Sequence, residues 1–179
     1  MKIIPKANNA KHEAEKMISK KDLSIISNLR QNSRQTLTRM SKKTNIPIST
    51  IYDKIRSFCG NVILRHTTLI DFNKLGYSTR ADMVLKVDRG EREQIKEYLL
   101  KNPQINSVYK INNGYDFLVE GIFCHVKDLE DFTELLESKF RIKEKKVYYI
   151  IDELKREGFL SDPDAISLTE EGEILGQSR

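Results

Sequence analysis

The chain has no tryptophan, two cysteines, three histidines and four prolines in 179 residues. Each shortage excludes something. Cys59 and Cys124 stand far apart and outside any metal-ligand spacing. Neither a disulfide framework nor a zinc module is expected, and both read as reduced thiols that pack, with redox sensing as the alternative. The histidines are scattered, so no metal site is expected. No run approaches the roughly 18 consecutive apolar residues that a membrane span needs. The N-terminal lysines are not followed by an apolar block of about 7–15 residues, so a secretory signal is not expected either and a cytoplasmic location is the default. No catalytic set and no cofactor are expected.

What is present is charge, unevenly placed. Residues 1–71 hold fourteen Lys and Arg against five Asp and Glu, a net of +9, whereas residues 72–179 carry a net of −4. A basic half joined to a mildly acidic half fits a nucleic-acid module attached to something else. The alternative is an ordinary surface of solvated lysines.

Residues 36–63 say which module. Asp22 reads as the cap of a first helix with Leu23, Ile25, Ile26 and Leu29 inward, and Asn32-Ser33 ends it. Thr36 caps a second helix that buries Leu37 and Met40, and Asn45 suits a left-handed turn residue. Pro47 fits the first turn of a third helix, where Ile48, Ile51, Ile55 and Phe58 form one helical stripe. Its other face offers Ser49, Thr50, Tyr52, Asp53, Lys54, Arg56 and Ser57, as a DNA-reading helix-turn-helix requires.

After Gly60-Asn61, residues 62–71 have strand character and read as a linker or wing. The second half then alternates between periods. Ala81, Met83, Leu85 and Val87 mark a strand, and Ile95 and Leu99 a helix. Ile105, Ser107, Tyr109 and Ile111 mark a second strand, which Asn112-Asn113-Gly114 turns into a third at residues 115–124. A helix over 128–140 turns Leu129, Phe132, Leu135 or Leu136, and Phe140 inward, and residues 145–151 form the last strand. This βαββαβ order predicts a ferredoxin-like domain. Its open sheet face would be covered by homodimerisation, which also suits a two-fold DNA site. The fold class is α+β: a three-helix, winged helix-turn-helix domain followed by a ferredoxin-like domain. The expected divisions are a basic extension (1–21), the DNA-binding domain (22–61), a strand linker (62–77), the βαββαβ domain (78–158) and an acidic tail (159–179).

Over residues 20–158 this layout resembles the Lrp/AsnC family of feast/famine transcription regulators. Asp22-Leu23-Ser24-Ile25-Ile26 resembles the family's opening D-x-x-I-L, and Ser49-Thr50-Ile51 with Lys54-Ile55 its S-T-V-x-x-R-I helix. Val62-Ile63 is similar to the closing G-V-I, Asp71 with Lys74-Leu75-Gly76 to D-x-x-K-L-G, and Asn113-Gly114-Tyr115-Asp116 to T-G-x-Y-D. Ser41, Asn45, Pro47-Ile48, Asp53 and Lys54 depart from the pattern, so the DNA sequence read is expected to differ from that of relatives. The resemblance implies a RAM-type effector domain, dimers assembling to tetramers or octamers, double-stranded DNA as partner, and an amino acid bound near the loop of Gly114, Tyr115 and Asp116. Ordinary turn chemistry without a ligand explains that loop equally well.

Ser49, Thr50, Tyr52, Lys54 and Arg56 are the expected DNA contacts, with Thr50 and Tyr52 at base edges. Lys54 and Arg56, with Arg39, Lys42 and Lys43, are expected on phosphates. Asp53 either accepts from cytosine N4 or pairs with a neighbouring cation, the ion pair being the expectation. Two other functions share the scaffold. One is an effector-independent architectural regulator. The other is a sirohaem-type tetrapyrrole decarboxylase using His66 with Arg65, against which His66 and His125 read as plain structural or surface histidines.

Overall fold

The computed structural model describes residues 18–164. Most of the basic N-terminal extension and the distal acidic tail lie outside them. The described residues form two compact units: those up to 67 together with those from 155 on, and residues 68–154.

The first unit is built on helices α1 (Lys20–Gln31), α2 (Leu37–Thr44) and α3 (Ile48–Phe58). Helix α1 starts earlier than expected. Ser19 is its cap, accepting from the Asp22 N–H at 3.2 Å, and the Asp22 carboxylate accepts from the Ser19 N–H at 3.1 Å. Asp22 is therefore the reciprocal partner of a capping box rather than the cap itself, because two orphan N–H groups are satisfied only when both side chains are used. Thr36 caps α2, and Asn45 ends it in the left-handed region at φ 55°. Ile25, Ile26, Met40, Ile46, Ile51 and Phe58 form the core, with Leu29, Leu37, Ile55 and Ile63 against it. Ile48, expected in the inward stripe, is 45% exposed. It is the first residue of α3 and is not part of the core cluster.

The expected strand linker does not form a ladder. Cys59 and Ile63 make one isolated bridge, residues 64–71 run without secondary structure, and a 3-10 turn follows at Phe72–Leu75. A ladder needs a neighbouring strand running alongside, and among the described residues no strand of the sheet pairs with this segment. The tail boundary also moves. Residues from 155 on group with the helices, where the Arg30 guanidinium donates to the Phe159 carbonyl at 2.6 Å and to the Glu157 carboxylate at 2.8 Å.

The second unit comprises β1 (Thr79–Val87), α4 (Arg92–Lys101), β2 (Ile105–Lys110), β3 (Phe117–Phe123), α5 (Val126–Lys139) and β4 (Ile142–Tyr149). The sheet order is β2-β3-β1-β4, with every neighbouring pair antiparallel. Alternation in β1 is strict: Ala81, Met83, Leu85 and Val87 are buried beneath α4 and α5, meeting Ile95, Leu99, Leu129, Phe132 and Leu136. Of the two leucines weighed for α5, Leu136 is buried and Leu135 is 44% exposed. Strand β2 departs from its expected alternation. A register shift between Ile105 and Ser107 brings Val108 to the core and leaves Tyr109 57% exposed. One extra residue in a bulge reverses every side chain beyond it.

Leu85 sits fully buried on a central strand. Leu85→Ala is expected to cost about 2–5 kcal/mol, measured by urea unfolding, whereas Leu135→Ala on the exposed side of α5 should shift the midpoint little.

Candidate nucleic-acid interface and effector turn

Helix α3 is held from one side only. Ile51 is fully buried and Phe58 is 8% exposed, while Ser49, Thr50, Tyr52, Asp53, Arg56 and Ser57 are all exposed. The helix has no side-chain cap, since Pro47 occupies that position. Its N-terminal N–H groups are thus free of side-chain acceptors, a favourable place for a phosphate. Arg39, Lys42 and Lys43 are exposed on α2, the last two in its final turn.

Lys54 stands apart from this set. Its ammonium lies 2.8 Å from the Asp22 carboxylate, pointing back to α1. Burial pushes the Asp22 carboxyl up, but hydrogen bonds from Lys54 and Ser19 outweigh it and hold the group below the ordinary carboxylate range. No local spacing connects Asp22 with Lys54, so nothing in the sequence marked this pair. Asp53, expected to pair with a neighbouring cation, forms no ion pair among the described residues and stays in water.

In the second unit, Asn113 (φ 61°) and Gly114 (φ 87°) form a tight turn between β2 and β3, and nothing lies within 4 Å of where a Gly114 Cβ would stand. Tyr115 hydrogen-bonds Glu144, and the Lys146 ammonium lies 5.0 Å from its ring centroid. Asp116 is 9% exposed and already engaged: one oxygen accepts from the Val87 N–H at 2.8 Å, and the other pairs with Arg92. Its carboxylate holds the base of the turn to β1 and α4. A groove of about 270 Å³ between α4 and α5, lined by Tyr98, Gln104, Asp128 and Phe132 among others, includes none of the turn residues.

The sheet face turned away from the helices carries a polar network. Arg80 pairs with Glu120 at 2.6 Å and with Glu153, and Ser107 donates to Glu120 at 2.8 Å. Burial raises the Glu120 carboxyl, but donors Asn106, Ser107 and Arg80 bring it below its ordinary value. Its cross-strand neighbour Asp82 is raised, by burial and then by the Glu120 charge. Val84, Leu118 and Tyr148 share this face. His66 is exposed in the ladderless segment, and His125 precedes α5, its N–H donating to Asp128 at 2.9 Å. Among the described residues no group of His, Cys, Asp and Glu could hold a metal ion, and no helix is long and apolar enough to cross a membrane.

The Lys54–Asp22 pair generates a prediction. Lys54→Met leaves a buried carboxylate unpaired and should cost about 1–2 kcal/mol, limited because Lys54 keeps 39% of its side chain in water. The folded-state pKa of Asp22 is lowered, so the pair's contribution is present above the ordinary carboxylate range and is lost as pH falls through the lowered value. Thermal melts from pH 6 to pH 2 should therefore converge for wild type and Lys54→Met at the acid end. Melts that stay parallel would refute the pairing.

The family model for the Lrp/AsnC ligand binding domain matches residues 83–159. The HTH-type transcriptional regulator FL11 of Pyrococcus horikoshii is 33% identical over 118 residues, 65% of this chain and 78% of that one. An uncharacterized HTH-type transcriptional regulator of Pyrococcus abyssi is 25% identical over 148 residues, 82% of this chain and all of that one. Among solved structures, LrpC of B. subtilis shares 21% identity with a TM-score of 0.69, covering 75% of this chain and 95% of that one. A transcriptional regulator from Neisseria meningitidis, solved as a complex with L-Met, has a TM-score of 0.72 at 17% identity, covering 77% and 92%. The chain belongs to the Lrp/AsnC family: it is a DNA-binding transcription regulator whose helix-turn-helix precedes a ligand-binding domain of ferredoxin-like fold.

Proposed function

We propose that the chain acts as a homodimer that lays one α3 helix into the major groove of each of two DNA half-sites, and that an amino acid bound at its second domain tunes this activity. The observation that carries the first part is the one-sided anchoring of α3, with a fully buried Ile51 opposite a wholly exposed polar face. On this reading Ser49, Thr50 and Tyr52 meet base edges, and Arg39, Lys42, Lys43 and Arg56 meet phosphates. Lys54 seats the helix through Asp22.

Dimerisation through the open sheet face is supported by its composition. Val84, Leu118 and Tyr148 offer apolar area, and Arg80, Asp82, Glu120 and Lys146 offer charges of both signs that a second copy can meet by two-fold symmetry. For the effector, the turn at Gly114 and Tyr115 lets a ligand approach the backbone closely, while Asp116 anchors the turn from below. The relative solved with L-Met supports an amino acid as the class of ligand.

Fluorescence anisotropy against the chain's own promoter DNA tests the reading. Each phosphate neutralised contributes a slope of about −0.9 to log K against log salt, so Arg56→Ala should flatten that slope by about one phosphate without changing the melting temperature. Affinity indifferent to salt would sink the DNA mode. A thermal-shift screen of the twenty amino acids tests the effector: a true ligand at a hundred times its Kd adds about 2.7 kcal/mol, and Gly114→Val should abolish the shift.

A further inference from the structure

The centre of the exposed face of α3 is an anion. At about 100° per residue, Asp53 lies about 200° round the helix from the fully buried Ile51, so it and Ser49, at about 160°, are the side chains turned most directly outward. Arg56 lies beyond Ser49 at about 140°, and Ser57 stands on the other side of Asp53 at about 240°. Its sequence neighbour Lys54 is turned the other way, onto Asp22. The carboxylate has no hydrogen bond or ion pair among the described residues.

A bare carboxylate at this position is costly in a helix that approaches phosphates, unless the bases supply it with a donor. An ionised carboxylate only accepts hydrogen bonds. In the major groove guanine shows two acceptors, thymine an acceptor beside a methyl group, and adenine a donor beside the N7 acceptor. Cytosine alone shows a donor, its N4 amino group, without an acceptor on the same base edge. From this geometry we infer that Asp53 is a specificity-determining residue, accepting from cytosine N4 at one fixed position of each half-site and rejecting guanine and thymine there.

The inference rests on the reading that α3 enters the major groove, and the two are separable by experiment. The full chain and its Asp53→Ala and Asp53→Asn variants are each used to select sites from a random double-stranded DNA library, and affinities for selected and altered sites are then measured. Wild type is expected to enrich a site with one invariant cytosine per half-site, and replacing that cytosine should weaken binding about tenfold or more. Asp53→Ala should level this preference and bind unselected DNA more tightly, since an anion near phosphates has gone. Asp53→Asn should shift the preference to adenine, whose N6 and N7 match a carboxamide. All three proteins should melt alike, because the side chain is exposed and unpartnered. If Asp53→Ala selects the wild-type site with the same base preference, the role of Asp53 is overturned while groove binding stands. If wild type enriches nothing, the groove reading falls, and this inference with it.

Discussion

A carboxylate withdrawn from water needs hydrogen-bond donors and a cation, and each unit of this chain is tied together by one such group. Asp22 and Asp116, 5% and 9% exposed, are the buried carboxylates of the described residues. Each accepts from a backbone N–H and faces a cation from a distant element: Asp22 takes the Ser19 N–H and Lys54, Asp116 the Val87 N–H and Arg92. Leaving either charge buried and alone would cost several kcal/mol. The elements that supply the partners are thereby held in one register.

For the DNA-binding unit this constraint orients the reading helix. α3 lacks a side-chain cap, so its seat depends on Ile51 and Phe58 below and on Lys54 reaching to the start of α1. The cation that the sequence offers for DNA is used inside the protein instead, and its neighbour Asp53 is left facing outward. The electrostatics of the exposed face therefore differ from a simple basic stripe. Arg56 and the lysines of α2 are exposed, and Asp53 adds an acceptor on the outward face of α3.

In the second unit the same device acts on the turn before β3. Asp116 fastens the strand start to β1 and α4, which frees Gly114 and Tyr115 to face outward on a rigid base. A carboxylate that the family resemblance implies near an amino-acid ligand is thus already engaged within the domain. Tyr115 is steadied in turn by Glu144 and Lys146 on β4.

Much of the fold was legible because its signals are local. Asn45 and Gly114 require positive φ, Thr36 caps the helix that follows it, and β1 alternates with period two, so each states its own conformation. The βαββαβ order, and with it the domain plan, followed from reading these signals in sequence. The bulge in β2 was not legible, because Ile105 and Val108 both being inward depends on which β3 residues they oppose. The strand character of residues 62–71 was real propensity without a sheet strand beside it among the described residues. Among the site residues, periodicity alone separated the buried stripe of α3 from its exposed face. It could not show that Lys54 turns to Asp22, 32 positions earlier, or that Asp116 is met by Arg92, since the partner of a charge is chosen by packing across elements. The sequence by itself determined the three helices, the βαββαβ order and the buried faces of β1 and α5, through side-chain periodicity and turn chemistry. Only the tertiary structure decided which charges are paired within the protein and which remain exposed, because electrostatic pairing depends on distance in space.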